Sequence, residues 1–266
     1  MPMTTVKRRW TMANPVKKKI ANGEVSYGVM LTFACPETIE IFGYLGFDFV
    51  FIDAEQTPVG VKECTELVRA CDVTGIVPIV KVPQNSPSVI LGYLETGARG
   101  IIGPHVDDEA AARALVDAVK YSPMGKRGAS SQSRAARFGL TQPPEQYYRQ
   151  ANDDTLVIAL VESEQGIRDM AAISATEGVD VISIGMSDVL LEMGHAGDRN
   201  HPEVRKLLKD AYAHVAAAGK GIAAGMKDAD AGQARKMIAE GVILLCLSDV
   251  AMLEAVSRRF LADMKQ

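Results

Sequence analysis

A chain of 266 residues with 47% hydrophobic content can fill one large core, and α/β barrels reach this size as single domains. Its net charge of −4, with both signs interspersed, offers no electrostatic case for nucleic acid or an anionic membrane as partner. No apolar run reaches membrane-spanning length, the start lacks the apolar stretch of a signal peptide, and Cys35, Cys64, Cys71 and Cys246 form no C-x-x-C pair, so a soluble protein of the reducing cytoplasm is expected.

Residues 1–14 read as an N-terminal arm, and Lys7-Arg8-Arg9 and Lys17-Lys18-Lys19 as a solvated arm and helix face. Residues 15–266 read as one domain. A short helix is predicted over 15–22, stopped by Gly23, then a strand over 27–33 and a helix over 36–45. A second strand over 47–52 ends in Asp53-Ala54-Glu55-Gln56. A helix over 61–74 leads to a strand over 76–82 with Lys81 near its end. A helix over 86–96 and a short strand over 99–103 follow, ending at Pro104-His105, and acidic residues open a helix over 108–121.

The rhythm breaks at 121–143, rich in Gly and Ser and carrying Lys126, Arg127, Arg134 and Arg137. Arg127 and Arg134 there could meet a substrate's distal acid or belong to a plain solvated loop. Helix resumes over 142–151. Residues 156–161 are a continuous apolar run, as for a strand buried on both faces, and Glu162 ends it. Helical spacing over 165–175 and a strand over 179–184 follow, the latter ending in Gly185, Met186, Ser187 and Asp188. Helices over 188–193 and 202–218 flank a turn-rich stretch with His195 and His201, expected at the surface or an interface; His214, mid-helix, reads as structural. A strand over 221–224, a helix over 230–240, a strand over 242–247 and a helix over 250–264 complete the chain.

Eight strand signals alternating with helices predict a (β/α)₈ TIM barrel rather than a doubly wound sheet, since no G-x-G-x-x-G opens an early helix. In a barrel the strand tips share one face, where ligands bind. Glu162 and Asp188 end successive strands there without a neighbouring His or Cys, which suggests an oxygen-rich site for a hard divalent cation; capping of the following helices is the alternative. A 2-oxo acid would chelate such an ion, which would act as a Lewis acid for the enolate formed when a C–C bond breaks. Lys81 would place a positive charge beside that enolate or carboxylate, and the backbone around Gly185, Ser187 and Asp188 would hold the carboxylate.

The segments FVFIDAEQTP, GARGIIGP, KYSPMGKRG, ALVESEQG, EGVDVISIGMSDV and GHAGDRNHPEV resemble, in order and spacing, the HpcH/HpaI aldolase family, over roughly residues 16–261. That resemblance implies a phosphoenolpyruvate/pyruvate-type barrel and a class II, metal-dependent pyruvate aldolase, with a 2-oxo acid and an aldehyde as substrates. It implies Glu162 and Asp188 as ligands of Mg²⁺, Mn²⁺ or Co²⁺, and assembly as a homo-oligomer, trimer or hexamer, often by exchange of the last helix. Two positions depart from the family pattern. Gln56 stands where the family has a proton-transferring His paired with the Asp that is here Asp53, and an amide cannot shuttle a proton near neutral pH. Lys81 stands for an Arg, keeping the charge and losing the bidentate fork. Leu160 replaces a polar residue two before the metal Glu.

Asp53 and Gln56 are therefore expected to position the acceptor or a water, and Lys81 to steady the enolate. Glu55, His105 and Asp249 are further candidates at the same face, Asp249 alternatively as a helix cap. Two rival readings are a Schiff base on Lys81 and a diverged member that binds 2-oxo acids or catalyses hydration or decarboxylation.

Overall fold

The computed structural model describes residues 13–226 and 228–265. Eight strands form a closed barrel: β1 (Ser26–Leu31), β2 (Phe49–Asp53), β3 (Val77–Lys81), β4 (Gly100–Gly103), β5 (Leu156–Val161), β6 (Val181–Ile184), β7 (Gly221–Met226) and β8 (Val242–Ser248). Every pairing is parallel, and β8 returns to β1. Among the described residues twelve α-helices accompany them: α1 (Pro15–Ala21), α2 (Pro36–Tyr44), α3 (Val61–Thr74), α4 (Pro87–Glu95), α5 (Glu109–Val119), α6 (Pro144–Asp154), α7 (Glu164–Arg168), α8 (Met170–Ala175), α9 (Met186–Glu192), α10 (Pro202–Ala217), α11 (Ala231–Ala239) and α12 (Asp249–Asp263). The (β/α)₈ expectation holds.

The apolar runs form strands because both strand faces are covered. Phe49, Phe51, Ile79, Ile102, Leu156 and Ile158 turn into the barrel, while Val50, Ile52, Val80, Ile101 and Val157 pack outward under the helices. The Phe49 and Phe51 rings lie 4.7 Å apart at the centre. Gly28 makes room for them: a Cβ there would fall 2.1 Å from the Phe49 ring.

The lower end of the barrel, at the strand N-termini, is floored by α1. Val16 is fully buried with the interior cluster. Asn14 caps the helix through Oδ1, which accepts from the Val16 and Lys17 amides, and its Nδ2 donates to the carbonyls of Arg99 and Asp154. Asn14 thus belongs to the barrel and not to a free arm. Lys7-Arg8-Arg9 lie outside the described residues. Lys17 and Lys19 pair with Asp180 at 3.0 Å and Asp48 at 2.6 Å, so the lysine run is not a wholly solvated face; its first and third members tie the floor to the strands above.

The 121–143 segment is also fixed at this end. Arg127 is buried, paired with Glu95 at 2.8 Å and laid over the Tyr121 ring at 4.5 Å. Arg134 donates to Thr96 O at 2.7 Å and to Asp72 at 2.5 Å. These partners sit where α3 and α4 finish, opposite the strand tips, so neither arginine is free for a substrate at the tips of its own chain, and neither is merely solvated. Lys120 is buried nearby, its Nζ donating to the carbonyls of Asn152 and Thr155 at 2.6 Å each.

The helix expected over 165–175 divides into α7 and α8 at Asp169, whose ψ of 9° leaves the helical range. The seventh strand runs two residues beyond its expected end, to Met226.

Candidate active site

At the end of β2, Asp53 is buried and its Oδ1 accepts the amides of Glu55 and Gln56, both at 2.9 Å. This Asx-type turn ends the strand pleat and sets the directions of the side chains that follow. The Ala54 amide donates to Lys81 O at 2.9 Å, keeping the ends of β2 and β3 level. Glu55 turns inward and forms an ion pair with Lys81, while Gln56 is exposed.

From the end of β4 comes His105, in the left-handed region at φ 53°. The Val106 amide donates to Leu160 O at 3.1 Å and anchors the chain just after it. His105 lies against Glu162, the residue that follows β5: its backbone amide donates to Glu162 Oε1 at 3.1 Å, and its Nδ1 lies 3.1 Å from the same oxygen. Its Nε2 is 3.8 Å from Glu55 Oε1, and the imidazole is 70% exposed at the barrel mouth. Four consecutive strands, β2 to β5, thus deliver Glu55, Lys81, His105 and Glu162 to one spot. One ligand atom each from Glu55, His105 and Glu162 fall within 4.8 Å of one another.

The Glu162 side chain is only 8% exposed. Burial raises its carboxyl above the usual carboxylate value, and the His105 amide and the Lys81 and His105 charges pull the other way. Gly185 gives it space, since a Cβ there would fall 2.7 Å from Glu162 Cβ and 3.1 Å from Oε2. Helix capping is not its job: Ser163 caps α7, its Oγ accepting from the Gly166 amide at 3.0 Å.

Asp188 and Ser187 lie exposed in the first turn of α9, one turn beyond Gly185. Asp188 therefore stands at the rim, outside the tight Glu55–His105–Glu162 group. Leu160 is buried in the interior cluster. Asp249 is committed elsewhere: its carboxylate accepts the Thr32 amide at 2.9 Å and the Val250 amide at 2.7 Å, joining the end of β1 to the start of α12. His195 and His201 lie away from this group and stack on each other, and His214 is exposed on α10. A cavity of about 980 Å³ lies at the other end of the barrel, lined by Ala13, Arg99, Arg134 and Thr155 among others, and is separate from the strand tips.

A parallel barrel that gathers two carboxylates, an imidazole and a lysine at its C-terminal mouth has a candidate active site where barrel enzymes carry theirs, with donors suited to a divalent cation. The sequence profile of the HpcH/HpaI aldolase/citrate lyase family matches residues 27–242. The chain belongs to that family, and it is a lyase.

Among its relatives, the 5-keto-4-deoxy-D-glucarate aldolase of Citrobacter koseri is 35% identical over 207 residues, 78% of this chain and 79% of that one. The 2-dehydro-3,6-dideoxy-6-sulfogluconate aldolase of Pseudomonas putida is 32% identical over 240 residues, 90% and 92% of the two chains. The crystal structure of an HpcH/HpaI aldolase/citrate lyase family protein from Burkholderia cenocepacia superposes with a TM-score of 0.89 at 29% identity, covering 96% of this chain and all of that one. No helix among the described residues is long and apolar enough to cross a membrane.

Proposed function

We propose that this lyase is a divalent-metal-dependent aldolase that breaks or forms a carbon–carbon bond beside a 2-oxo acid, with pyruvate as the enolate half and an aldehyde as the other. The observation that carries this reading is Glu162: a nearly buried carboxylate at a strand tip, held through Oε1 by the His105 amide, with Oε2 over the gap at Gly185. Its oxygen donors and the neighbouring Glu55 carboxylate fit a hard ion such as Mg²⁺, Mn²⁺ or Co²⁺. Glu162 would hold the ion, and Asp188, in the first turn of α9, would be its second protein ligand. When bound, the ion supplies Lewis-acid stabilisation of the enolate oxygen. The sugar acids named for the relatives are rich in oxygen ligands, which suits an oxygen-lined mouth that would hold a divalent ion.

The chain's own residues do the rest. Lys81, kept in place by Glu55, provides the cation that orients the keto-acid carboxylate or enolate. Gly185 leaves the backbone beside Glu162 uncovered, and with Ser187 it contacts the substrate carboxylate. Asp53 positions Glu55 and Gln56 through its turn, and exposed Gln56 orients the acceptor or a water by hydrogen bonding. His105 Nε2, facing the mouth and within reach of Glu55 Oε1, moves the proton that the Gln56 amide cannot carry.

EDTA is expected to abolish pyruvate–aldehyde cleavage, and Mn²⁺ or Mg²⁺ to restore it; turnover indifferent to the chelator overturns the proposal. A Schiff base on Lys81 is the second reading, and the Glu55 ion pair speaks against a free amine there. Borohydride with pyruvate should leave the protein mass unchanged. A rise in pyruvate-aldol activity in Gln56→His/Lys81→Arg would reveal a scaffold retuned toward another reaction.

We also propose a homo-oligomer, trimer or hexamer. On α12, Leu253, Val256, Phe260 and Leu261, with Met264 at its C-cap, are each more than half exposed and recur at helical spacing, a face suited to a neighbouring copy.

A further inference from the structure

We propose that His195, His201 and Glu203 form a second metal site, separate from the strand-tip cluster, for a late first-row transition ion such as Zn²⁺. The three residues lie within nine positions of each other, where α9 gives way to α10. The connection is bent tightly by two left-handed glycines, Gly194 at φ 73° and Gly197 at φ 82°. The His195 amide donates to Leu190 O at 2.8 Å and closes α9, while His201 sits at the N-cap of α10, immediately before Pro202.

This folding brings the two imidazoles face to face, with centroids 3.6 Å apart and planes 21° from parallel. His195 Nε2 lies 3.5 Å from Glu203 Oε2, and one donor atom from each residue falls within 4.8 Å of the others. His201 Nδ1 is buried and has no hydrogen-bond partner. A buried ring nitrogen left unpaired costs free energy. An ion bound by the two imidazoles and the Glu203 carboxylate would give that nitrogen a partner.

The His195–Glu203 distance suits such an ion, and the two stacked rings would splay apart for both to reach it. Bonds of about 2.0–2.1 Å in tetrahedral geometry place donor atoms roughly 3.4 Å apart, close to the His195–Glu203 separation. Two imidazoles favour Zn²⁺, Co²⁺, Ni²⁺ or Cu²⁺ over Mg²⁺, which sets this donor set apart from the oxygen-rich one at the strand tips. Arg168, which feels the Glu203 charge, is ion-paired with Glu164. Glu203 is exposed and His195 partly so, leaving a side of the site open to water as a further ligand. Bound there, the ion would clamp the glycine-rich connection onto the first turn of α10.

The test uses the full chain with Glu162→Gln/Asp188→Asn, so that the proposed reaction-centre ion does not contribute. After equilibration with Zn²⁺ and gel filtration, elemental analysis should find about one equivalent retained, and Zn²⁺ should raise the melting temperature. Adding His195→Ala/Glu203→Ala should abolish both effects. In the unsubstituted background, His195→Ala/Glu203→Ala should leave Mg²⁺-supported turnover unchanged and circular dichroism native. Substitution with Co²⁺ should give the visible d–d bands of a tetrahedral nitrogen–oxygen site. Retention of no Zn²⁺ by Glu162→Gln/Asp188→Asn, or retention that survives loss of His195 and Glu203, overturns the proposal.

Discussion

Glu55 and Gln56 are neighbours in sequence, yet one turns into the barrel mouth and the other to solvent. Strand alternation alone would put Glu55 on the side of Asp53, and it says nothing about Gln56 once the strand has ended. What decides is the Asp53 carboxylate, which takes both following amides and bends the chain out of its pleat. The Asp-x-Glu pattern after an apolar run is the only sequence signal for this. His105 depends on a left-handed backbone that a non-glycine residue seldom adopts, so its approach to Glu162 was not legible. Glu162 was, because it ends a strand buried on both faces. His105→Ala is expected to lower kcat about 10²–10⁴-fold with KM little changed, whereas Gln56→Ala should cost far less; steady-state kinetics on both variants check this assignment of the proton carrier.

At the scale of elements, the strands were legible as apolar runs because a parallel barrel covers both of their faces. The break between α7 and α8 was not, since Asp169 carries no helix-breaking side chain and the apolar spacing continues across it. Nor was the role of Gly28, which depends on a ring from the adjacent strand. Gly28→Ala is expected to cost about 1–3 kcal/mol through overpacking against Phe49, read as a lower urea midpoint with an unchanged m-value.

Lys120, wedged between the end of α5 and the carbonyls of Asn152 and Thr155, gives the fold a pH dependence. Burial, with the Lys17 charge nearby, pulls its amine from the usual lysine value down to about 7. Between that value and about 10.4, where a free lysine titrates, the unfolded chain binds a proton that the folded chain lacks. Stability therefore rises with pH through this window, by up to about 1.4 kcal/mol per unit, and the penalty is fully present below it. Urea titrations from pH 7 to 9.5 should show this slope, and Lys120→Met should flatten it.

For the whole molecule, α12 hangs from the barrel by its first turn. Asp249 and Ala251 are its buried residues and Met252 packs partly against the core, while Leu253, Val256, Phe260 and Leu261 are left more than half exposed among the described residues. Apolar residues at helical spacing look the same in a core and in an interface, so spacing alone leaves both open. Phe260→Asp is expected to shift the mass in multi-angle light scattering toward the monomer while leaving the barrel's circular dichroism intact.

At the opposite pole, α1 stops the tube like a cork, with Asn14 as its stitch to Arg99 and Asp154. Among the described residues, a vessel floored by that helix and filled with aromatic and branched side chains opens at the strand tips. Both halves of a cleaved molecule must leave by the opening through which the whole one entered, and the half that lingers keeps the next one waiting outside.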